Sequence, residues 1–218
     1  MNKVKLYQDK ITIAGQAFLL ERVKNLDDLV DEISDELFNE DERLPYWAEL
    51  WPSAFALTEF ILQNREIFKN KNILELGCGM GLTSMALSLT NPGQFTTTDY
   101  EQAALEATTK NYHINKIESV PELKLLDWRK PNLKKKFELI VASDVAYEER
   151  FFQPLTDLFK NHLSEDGEII LAEPNRTIAR TFFGKLAMAG FQFNTIDKFV
   201  EQEGKNIKVT IYRIVHKK

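Results

Sequence analysis

Three glycines at alternate positions constrain most strongly what this chain can fold into. Gly77, Gly79 and Gly81 follow a short apolar run, and apolar residues at helical spacing continue over 82–89. This order predicts a strand, a tight turn and a helix, as at the first crossover of an open parallel sheet. Glycine lets such a turn approach a ligand without Cβ collisions. The N-terminus of the helix then presents unpaired N–H groups to that ligand.

The spacing of the glycines indicates the kind of ligand. The dinucleotide fingerprint G-x-G-x-x-G would need glycine at position 82, where this chain has Leu82. Glu75, just before the turn, would repel a pyrophosphate and suits a ligand with a cationic or hydroxylated part. The segment E-L-G-C-G-M-G, residues 75–81, resembles motif I of class I S-adenosylmethionine-dependent methyltransferases.

Length and composition indicate a globular protein of one domain, or of one domain with an appendage. The chain has 218 residues, of which 44% are hydrophobic and 28% charged. No apolar run approaches the roughly 20 residues of a membrane-spanning helix, and the N-terminus lacks the apolar core of a signal peptide. The single cysteine, Cys78, favours a reducing compartment. We therefore expect a cytoplasmic protein that does not act at a membrane.

The charge balance argues against a nucleic-acid partner. The formal net charge is −5, and Lys134–Lys136 is the only basic run. Nucleic-acid binding usually depends on clustered Lys and Arg side chains. We also expect no metal site, and the sequence makes no prediction of the oligomeric state.

Strand and helix patterns alternate from about residue 71 onward. Strands are predicted over 71–76, 94–98, 122–126, 137–142, 168–172, 191–200 and 205–215. Helices are predicted over 52–66, 82–89, 102–115, 151–163 and 177–189. This alternation predicts an α/β, Rossmann-like fold with a doubly wound sheet of seven mostly parallel strands. The last two strands flank Gly204 and are expected to pair antiparallel.

Residues 1–40 are expected to be an N-terminal appendage, and residues 41–218 the main domain. Alternating residues around Ala14 and Gly15 predict a β-hairpin over 7–23. Apolar residues at helical spacing in an acidic segment then predict an amphipathic helix. These residues are Leu26, Leu29, Val30, Ile33 and Leu37.

Ligand-type side chains follow successive strands of the predicted sheet. Asp99 follows the second strand, where a carboxylate can accept both hydroxyls of a ribose. Asp127 and Trp128 follow the third, where they offer an acceptor for an adenine amine and a ring for stacking. Asp144 and Tyr147 follow the fourth, with the spacing D-x-x-Y. Ligands of open α/β sheets bind past these strand ends, so we expect one shared site.

Several motifs, in chain order, resemble family 16 of the S-adenosylmethionine-dependent methyltransferases. They are E-L-W-P-S around Trp51, the glycine turn, T-D-Y-E around Asp99, L-D-W around Trp128 and S-D-V-A-Y-E around Asp144. Members of this family are seven-stranded protein methyltransferases, mostly directed at lysine and marked by D-x-x-Y. The segment Glu173–Arg176 also resembles bacterial relatives of the electron-transfer-flavoprotein β-subunit lysine methyltransferase.

The resemblance implies a role for each matching residue, and an antiparallel last strand. Asp144 and Tyr147 would lie where the methyl donor and acceptor meet. The S-adenosylmethionine pocket would be lined by Trp51, Gly77, Cys78, Gly79, Asp99, Trp128 and Ser143. Glu75, Gly81 and Asp127 join the cofactor-binding candidates because of their places in the turn and at the third strand end. Glu75 would either reach the amino group of the methionine moiety or cap the turn.

The expected reaction is methyl transfer from S-adenosylmethionine to an amine, first of all the lysine side chain of a protein. Asp144 would hold and orient that amine. Aromatic residues such as Tyr46, Trp47 and Trp51 would keep the site dry, which favours the uncharged amine.

Three other functions stay open. The first is a small-molecule or nucleobase N-methyltransferase, because D-V-A-Y resembles the D-P-P-Y motif of amino-group methyltransferases, although it lacks the prolines. The acidic charge balance disfavours a nucleic acid, which leaves a small amine such as a pyridine amide as the alternative acceptor. A nicotinamide-dinucleotide oxidoreductase is disfavoured by the glycine spacing. The third alternative is a non-catalytic binding protein that retains the fold.

Overall fold

The structure is a computed structural model that describes residues 5–24, 26–30 and 44–217. Within these ranges, none of the helices combines the length and the apolar character that a membrane crossing requires. Helix α1 (Asp27–Val30) is the first part of the predicted amphipathic helix. Ile33 and Leu37, the remaining apolar positions of that prediction, lie outside the described residues.

The predicted N-terminal hairpin is confirmed. Strands β1 (Leu6–Ile13) and β2 (Gln16–Val23) pair antiparallel in a sheet of their own. Ala14 and Gly15 between them have φ values of 47° and 80°. Two consecutive residues with positive φ are typical of a type I′ turn, whose twist matches that of the two strands.

Seven further strands form the main sheet. They are β3 (Asn72–Leu76), β4 (Gln94–Asp99), β5 (Glu122–Leu125), β6 (Phe137–Ser143), β7 (Leu163–Glu173), β8 (Phe191–Gln202) and β9 (Lys205–His216). Their order is β5-β4-β3-β6-β7-β9-β8, and β9 runs antiparallel to both of its neighbours. The other pairings are parallel. The predicted doubly wound sheet with an antiparallel last strand is confirmed, and its strand order reverses between β3 and β6.

Helices cover both faces of this sheet. They are α2 (Pro52–Gln63), α3 (Arg65–Phe68), α4 (Leu82–Ser88), α5 (Gln102–Asn115), α6 (Phe152–His162) and α7 (Ala179–Met188). The sequence predicts one helix over 52–66, but Asn64 separates α2 from α3. Its Nδ2 donates to the carbonyl oxygen of Phe60 at 2.8 Å, and its backbone leaves the helical region at φ −126°. Asn side chains commonly compete with helical hydrogen bonds in this way.

Strand β7 begins earlier than its apolar pattern predicts. The sequence predicts a helix up to residue 163 and a strand from residue 168, but β7 already starts at Leu163. Leu163 pairs with Phe137, and Glu168 pairs with Leu139. The polar residues between Leu163 and Glu168 therefore form a bulge that carries no apolar signal.

Buried residues fill both faces of the main sheet. On one face, Phe60 of α2 and Met85 of α4 share a core with Phe18 of the hairpin. On the other face, Phe152 of α6 and Phe182 of α7 form a second core. Apolar packing on both sides fixes the central strands, so their carboxyl ends make a rigid base for a site.

Two asparagines on α5 attach the hairpin to the main sheet's domain. Asn111 Oδ1 accepts the N–H of Glu21 at 2.8 Å, and its Nδ2 donates to the carbonyl oxygen of Met80 at 2.9 Å. Asn115 Oδ1 accepts the N–H of Leu19 at 2.8 Å. These amides satisfy backbone groups at the free edge of β2. Because Met80 belongs to the glycine turn, Asn111 links the hairpin to that turn.

Candidate active site

A cavity lies past the carboxyl ends of β3, β4 and β6, next to the point where the strand order reverses. Most of the residues proposed from the sequence line it. They are Trp51, Gly77, Cys78, Gly79, Asp99, Trp128, Ser143, Asp144 and Tyr147. Residues that are far apart in the chain thus meet at one edge of the sheet, where ligands of open α/β sheets bind.

The glycine turn needs glycine at all three positions. Gly77, Gly79 and Gly81 have φ values of 69°, 53° and 84°, a region that other residues rarely adopt. A Cβ on Gly79 would lie 3.0 Å from the carbonyl oxygen of Trp47, and a Cβ on Gly81 would lie 2.9 Å from the side chain of Thr108. At Gly79 and Gly81, close packing as well as turn geometry therefore excludes larger residues.

Asp99 ties the end of β4 to the glycine turn. Its two carboxylate oxygens accept the backbone N–H groups of Gly79 at 2.9 Å and Glu101 at 3.0 Å. Burial nevertheless raises the pKa of the Asp99 carboxyl to about 6. A carboxylate has about four lone-pair sites, so Asp99 retains acceptor capacity for the hydroxyl groups of a ligand.

Five aromatic side chains form a continuous wall of the cavity. The ring centroids of Trp51, Tyr46, Tyr147, Phe151 and Trp128 lie 6.3, 5.6, 6.3 and 5.5 Å apart in succession. Burial raises the pKa of the Tyr147 phenol well above its usual value, so this phenol is uncharged at neutral pH. Trp128 Nε1 is buried and has no hydrogen-bond partner among the described residues.

Asp144 is held by contacts with the end of β7. Its backbone has a φ of 59°, and its N–H donates to the carbonyl oxygen of Ala172 at 2.9 Å. The side chain is only 5% exposed and forms an ion pair with the guanidinium of Arg176. The same guanidinium lies 3.7 Å from Glu173 Oε1 and 5.6 Å from the ring centroid of Trp51. Two buried carboxyl groups therefore share one guanidinium.

Cys78 lines the cavity as a packing residue. Its thiol sulfur accepts a hydrogen bond from Thr108 Oγ1 at 3.4 Å. Burial raises the pKa of the thiol well above its usual value. Since the thiolate is the reactive form, this environment makes the cysteine a poor nucleophile.

Glu75 does not line the cavity. Its side chain is fully enclosed, and the hydroxyl groups of Ser84 and Thr97 donate to Oε2. Burial raises the pKa of this carboxyl to about 7. The position before the turn suggests a ligand contact, but β3 directs the carboxyl between α4 and β4, as part of the core beneath the turn.

Gly81 and Asp127 also lie away from the cavity wall. Gly81 begins α4 and packs against Thr108. The carboxylate of Asp127 accepts hydrogen bonds from Arg129 Nε at 2.9 Å and Nη2 at 3.0 Å. Both residues are neighbours of site residues in sequence, but they support the loops rather than face the cavity.

The sequence motifs assign no role to Arg176, the last residue of the segment Glu173–Arg176. This residue follows β7, so the rule that placed Asp99 and Asp144 at strand ends extends to it. The rule does not predict its ion pair with Asp144, because that contact depends on the positive φ that turns Asp144 toward β7.

Within the described ranges, no group of His, Cys, Asp and Glu side chains is arranged to hold a metal ion.

The sequence is similar to known lysine methyltransferases. The lysine methyltransferase family model matches residues 34–189. The electron transfer flavoprotein beta subunit lysine methyltransferase of Mus musculus is 30% identical over 135 residues, which cover 61% of this chain and 51% of the mouse protein. EEF1A lysine methyltransferase 3 of Mus musculus is 28% identical over 184 residues, 80% of this chain and 75% of that protein. The chain thus spans about half the length of the first of these relatives.

The fold is also found in solved structures. Ribosomal protein L11 methylase from Lactobacillus delbrueckii subsp. bulgaricus superposes with a TM-score of 0.57 at 22% identity, covering 74% of this chain and 78% of that one. This likeness concerns the fold. Because the family model covers most of the chain, including the glycine turn and D-x-x-Y, the chain belongs to the lysine methyltransferase family.

Proposed function

We propose that this protein transfers a methyl group from S-adenosylmethionine to the side-chain nitrogen of a lysine in a protein substrate. One observation carries the proposal: the glycine turn, Asp99 and the D-x-x-Y segment line a single cavity. Proteins are also named as the substrates of the relatives, an electron-transfer flavoprotein subunit in one case and EEF1A in another.

The polar and aromatic groups of the cavity fit S-adenosylmethionine. Asp99 would accept the two ribose hydroxyls with its remaining lone pairs. The turn Gly77–Gly79 would hold the methionine part, to which Gly77 and Gly79 present no Cβ, and the ring of Trp128 would stack near the adenine. Ser143 and Trp51 would complete the walls. When bound, the sulfonium supplies an electrophilic methyl group, and the protein has to position and desolvate the reactants.

The acceptor lysine must first release its proton to water, because only the neutral nitrogen has the lone pair that bonds the methyl carbon, and the donor would be released as the neutral thioether. At pH 7, the neutral form of an amine with a pKa of about 10.4 costs roughly 4–5 kcal/mol. The aromatic wall would lower this cost, since a dry environment disfavours the ammonium. The uncharged phenol of Tyr147 would accept an N–H of the amine and direct its lone pair toward the methyl group.

Asp144 would act mainly by orienting the acceptor amine. Both of its carboxylate oxygens are buried without a hydrogen-bond partner among the described residues, and the guanidinium of Arg176 balances the charge. A carboxylate in an ion pair is a weak base. The ion pair of Asp144 with Arg176 nevertheless holds the segment between β6 and Tyr147 in place. We therefore place Asp144 in the mechanism as an orienting group, with any role in proton removal secondary.

The N-terminal residues 1–40 are proposed to act as an appended unit that shapes substrate access to the cavity. The hairpin is attached through Asn111 to the glycine turn, so it lies next to the proposed cofactor site. A cytoplasmic location, which the free thiol of Cys78 favours, is part of the same proposal.

Calorimetric titration of the purified protein with S-adenosylmethionine, and separately with NADH, tests the cofactor assignment. We expect saturable binding of the first and none of the second. Asp144→Ala should bind S-adenosylmethionine as the wild type does but lose methyl transfer. Binding of NADH in preference to S-adenosylmethionine would refute the proposal, and unchanged transfer by the variant would remove Asp144 from the mechanism.

A further inference from the structure

We infer that Arg176 is a positioning residue that holds Asp144 and balances its charge, so that the acceptor amine is favoured in its unprotonated form. This inference rests on the proposed function, because it concerns the acceptor side of the same cavity. Arg176 itself is outside the cavity lining and acts through Asp144.

The contacts fix Arg176 from two directions. Its backbone N–H donates to both carboxyl oxygens of Glu173, at 3.1 Å each. Its guanidinium reaches across to the carboxylate of Asp144, which comes from the neighbouring strand end. The guanidinium also lies over Trp51, which lines the cavity. One side chain therefore connects the ends of β6 and β7 and the aromatic wall.

The charges around this contact define what Arg176 does. The contacts of its guanidinium are the carboxyls of Asp144 and Glu173 and the ring of Trp51. Burial raises the pKa of Glu173 and lowers that of Arg176. The single positive charge is thus opposed by the Asp144 carboxylate and by a second carboxyl that burial drives toward its neutral form.

Removal of the guanidinium would change the protonation of an amine beside Asp144. An unbalanced carboxylate stabilises a nearby ammonium, and a lone cation destabilises it. Without Arg176, the amine would retain its proton to a higher pH and would react more slowly at neutral pH. Without the Asp144 charge, the Arg176 cation would have the opposite effect on the amine.

Four variants test this inference through the pH dependence of methyl transfer under saturating S-adenosylmethionine. The acceptor is the protein that the wild type labels in a lysate of its own source. The rate of the wild type should rise with pH as the acceptor amine loses its proton, and we call this part of the profile the rising limb. For Arg176→Gln we expect the rising limb to shift to higher pH by about one unit. The rate at pH 7 should fall about tenfold and recover above pH 9. Arg176→Lys, which keeps the charge, should keep the wild-type limb.

Removal of the negative charge of Asp144 should shift the pH profile in the opposite direction. Asp144→Asn should move the limb to lower pH, and the double variant Asp144→Asn/Arg176→Gln should return it to the wild-type position at a reduced rate. If Arg176→Gln does not fold, Asp144→Asn and Arg176→Lys still decide the question. Affinity for S-adenosylmethionine, measured by calorimetry, should change less than threefold in the Arg176 variants.

A purely structural role predicts a different result. Arg176→Gln would then lower the rate by the same factor at every pH, or lower the affinity for S-adenosylmethionine and the melting temperature without moving the limb. Either result overturns the inference and leaves the proposed function intact. Absence of any protein labelled by the wild type would overturn the proposed function and this inference with it.

Discussion

The carboxylate of Asp99 accepts the backbone N–H of Gly79 at 2.9 Å. This bond joins the end of β4 to the turn after β3, so the two parts of the proposed cofactor site are held as one unit. Because burial raises the pKa of Asp99 to about 6, the strength of the hydrogen bond between Asp99 and Gly79 should depend on pH near neutrality.

The affinity for S-adenosylmethionine should therefore fall as the pH drops through about 6. Ionised Asp99 accepts both the turn N–H and the ribose hydroxyls, whereas the protonated form accepts less well. Calorimetry from pH 5 to 8 should show a plateau above pH 7. Asp99→Asn should bind about 10–100-fold more weakly at pH 8, since hydrogen bonds to a charged group contribute about 1.5–3 kcal/mol. Equal affinities of variant and wild type at pH 8 would contradict this role.

Gly79→Ala should reduce both stability and cofactor affinity. The new Cβ would lie 3.0 Å from the carbonyl oxygen of Trp47, and the backbone has a φ of 53°. Gly204→Ala is a matched control, because its φ is 72° but nothing lies within 4 Å of the added Cβ. In both variants, backbone strain should lower the free energy of unfolding, measured in urea, by about 1–2 kcal/mol. Only Gly79→Ala should also weaken S-adenosylmethionine binding, and equal binding by the two variants would argue against a tight turn at the ligand.

Glu75→Gln should stabilise the protein at alkaline pH. Burial raises the pKa of Glu75 in the folded protein from 4.5 to about 7. Its favourable contribution to the free energy of unfolding is therefore complete below about pH 4.5 and is lost as the pH rises through 7. The difference corresponds to at most about 3 kcal/mol. Unfolding in urea should give similar free energies for variant and wild type at pH 4.5 and a more stable variant at pH 8. Glu118→Gln, which removes an exposed carboxylate, is the control. If the free energies of unfolding of Glu75→Gln and the wild type differ by the same amount at both pH values, the carboxyl of Glu75 does not have a raised pKa.

Asn111→Ala should loosen the N-terminal hairpin. The substitution leaves the N–H of Glu21 and the buried carbonyl of Met80 without their partner. Each unsatisfied buried group costs about 1–3 kcal/mol, so we expect a loss of about 2 kcal/mol or more. Asn115→Ala should cost less, because water reaches that site. Hydrogen exchange of the β2 amides measures the effect directly, and an unchanged exchange pattern would show that the hairpin is held by its apolar contacts alone.

The strand ends were the most predictable part of the site. The buried strands β3 and β6 leave clear apolar runs in the sequence. The parallel pairing of their neighbours then brings Asp99, Trp128 and Asp144 to one edge. The same logic placed Glu75 among the residues around the cavity, but its carboxyl does not line the cavity. Sequence spacing fixes the end of a strand but not the direction of each side chain, and Glu75 points into the core between α4 and β4.

Other features depend on contacts that have no local signal. The break at Asn64 follows from one side-chain hydrogen bond to Phe60, and the early start of β7 follows from pairing between Leu163 and Phe137. The ion pair of Asp144 with Arg176 joins residues from two loops and requires a positive φ at Asp144. Such pairings are set by the tertiary structure, so a single sequence does not predict them.

The most direct test of protein lysine methylation is the fate of a radiolabelled methyl group. The purified protein is incubated with labelled S-adenosylmethionine and lysate of its own source, and the labelled proteins are separated and hydrolysed to amino acids. We predict a discrete labelled protein whose label co-migrates with N-methyllysine, and no label when Asp144→Ala replaces the wild type. Label confined to the small-molecule fraction, or found in an amino acid other than lysine, would contradict the proposed function.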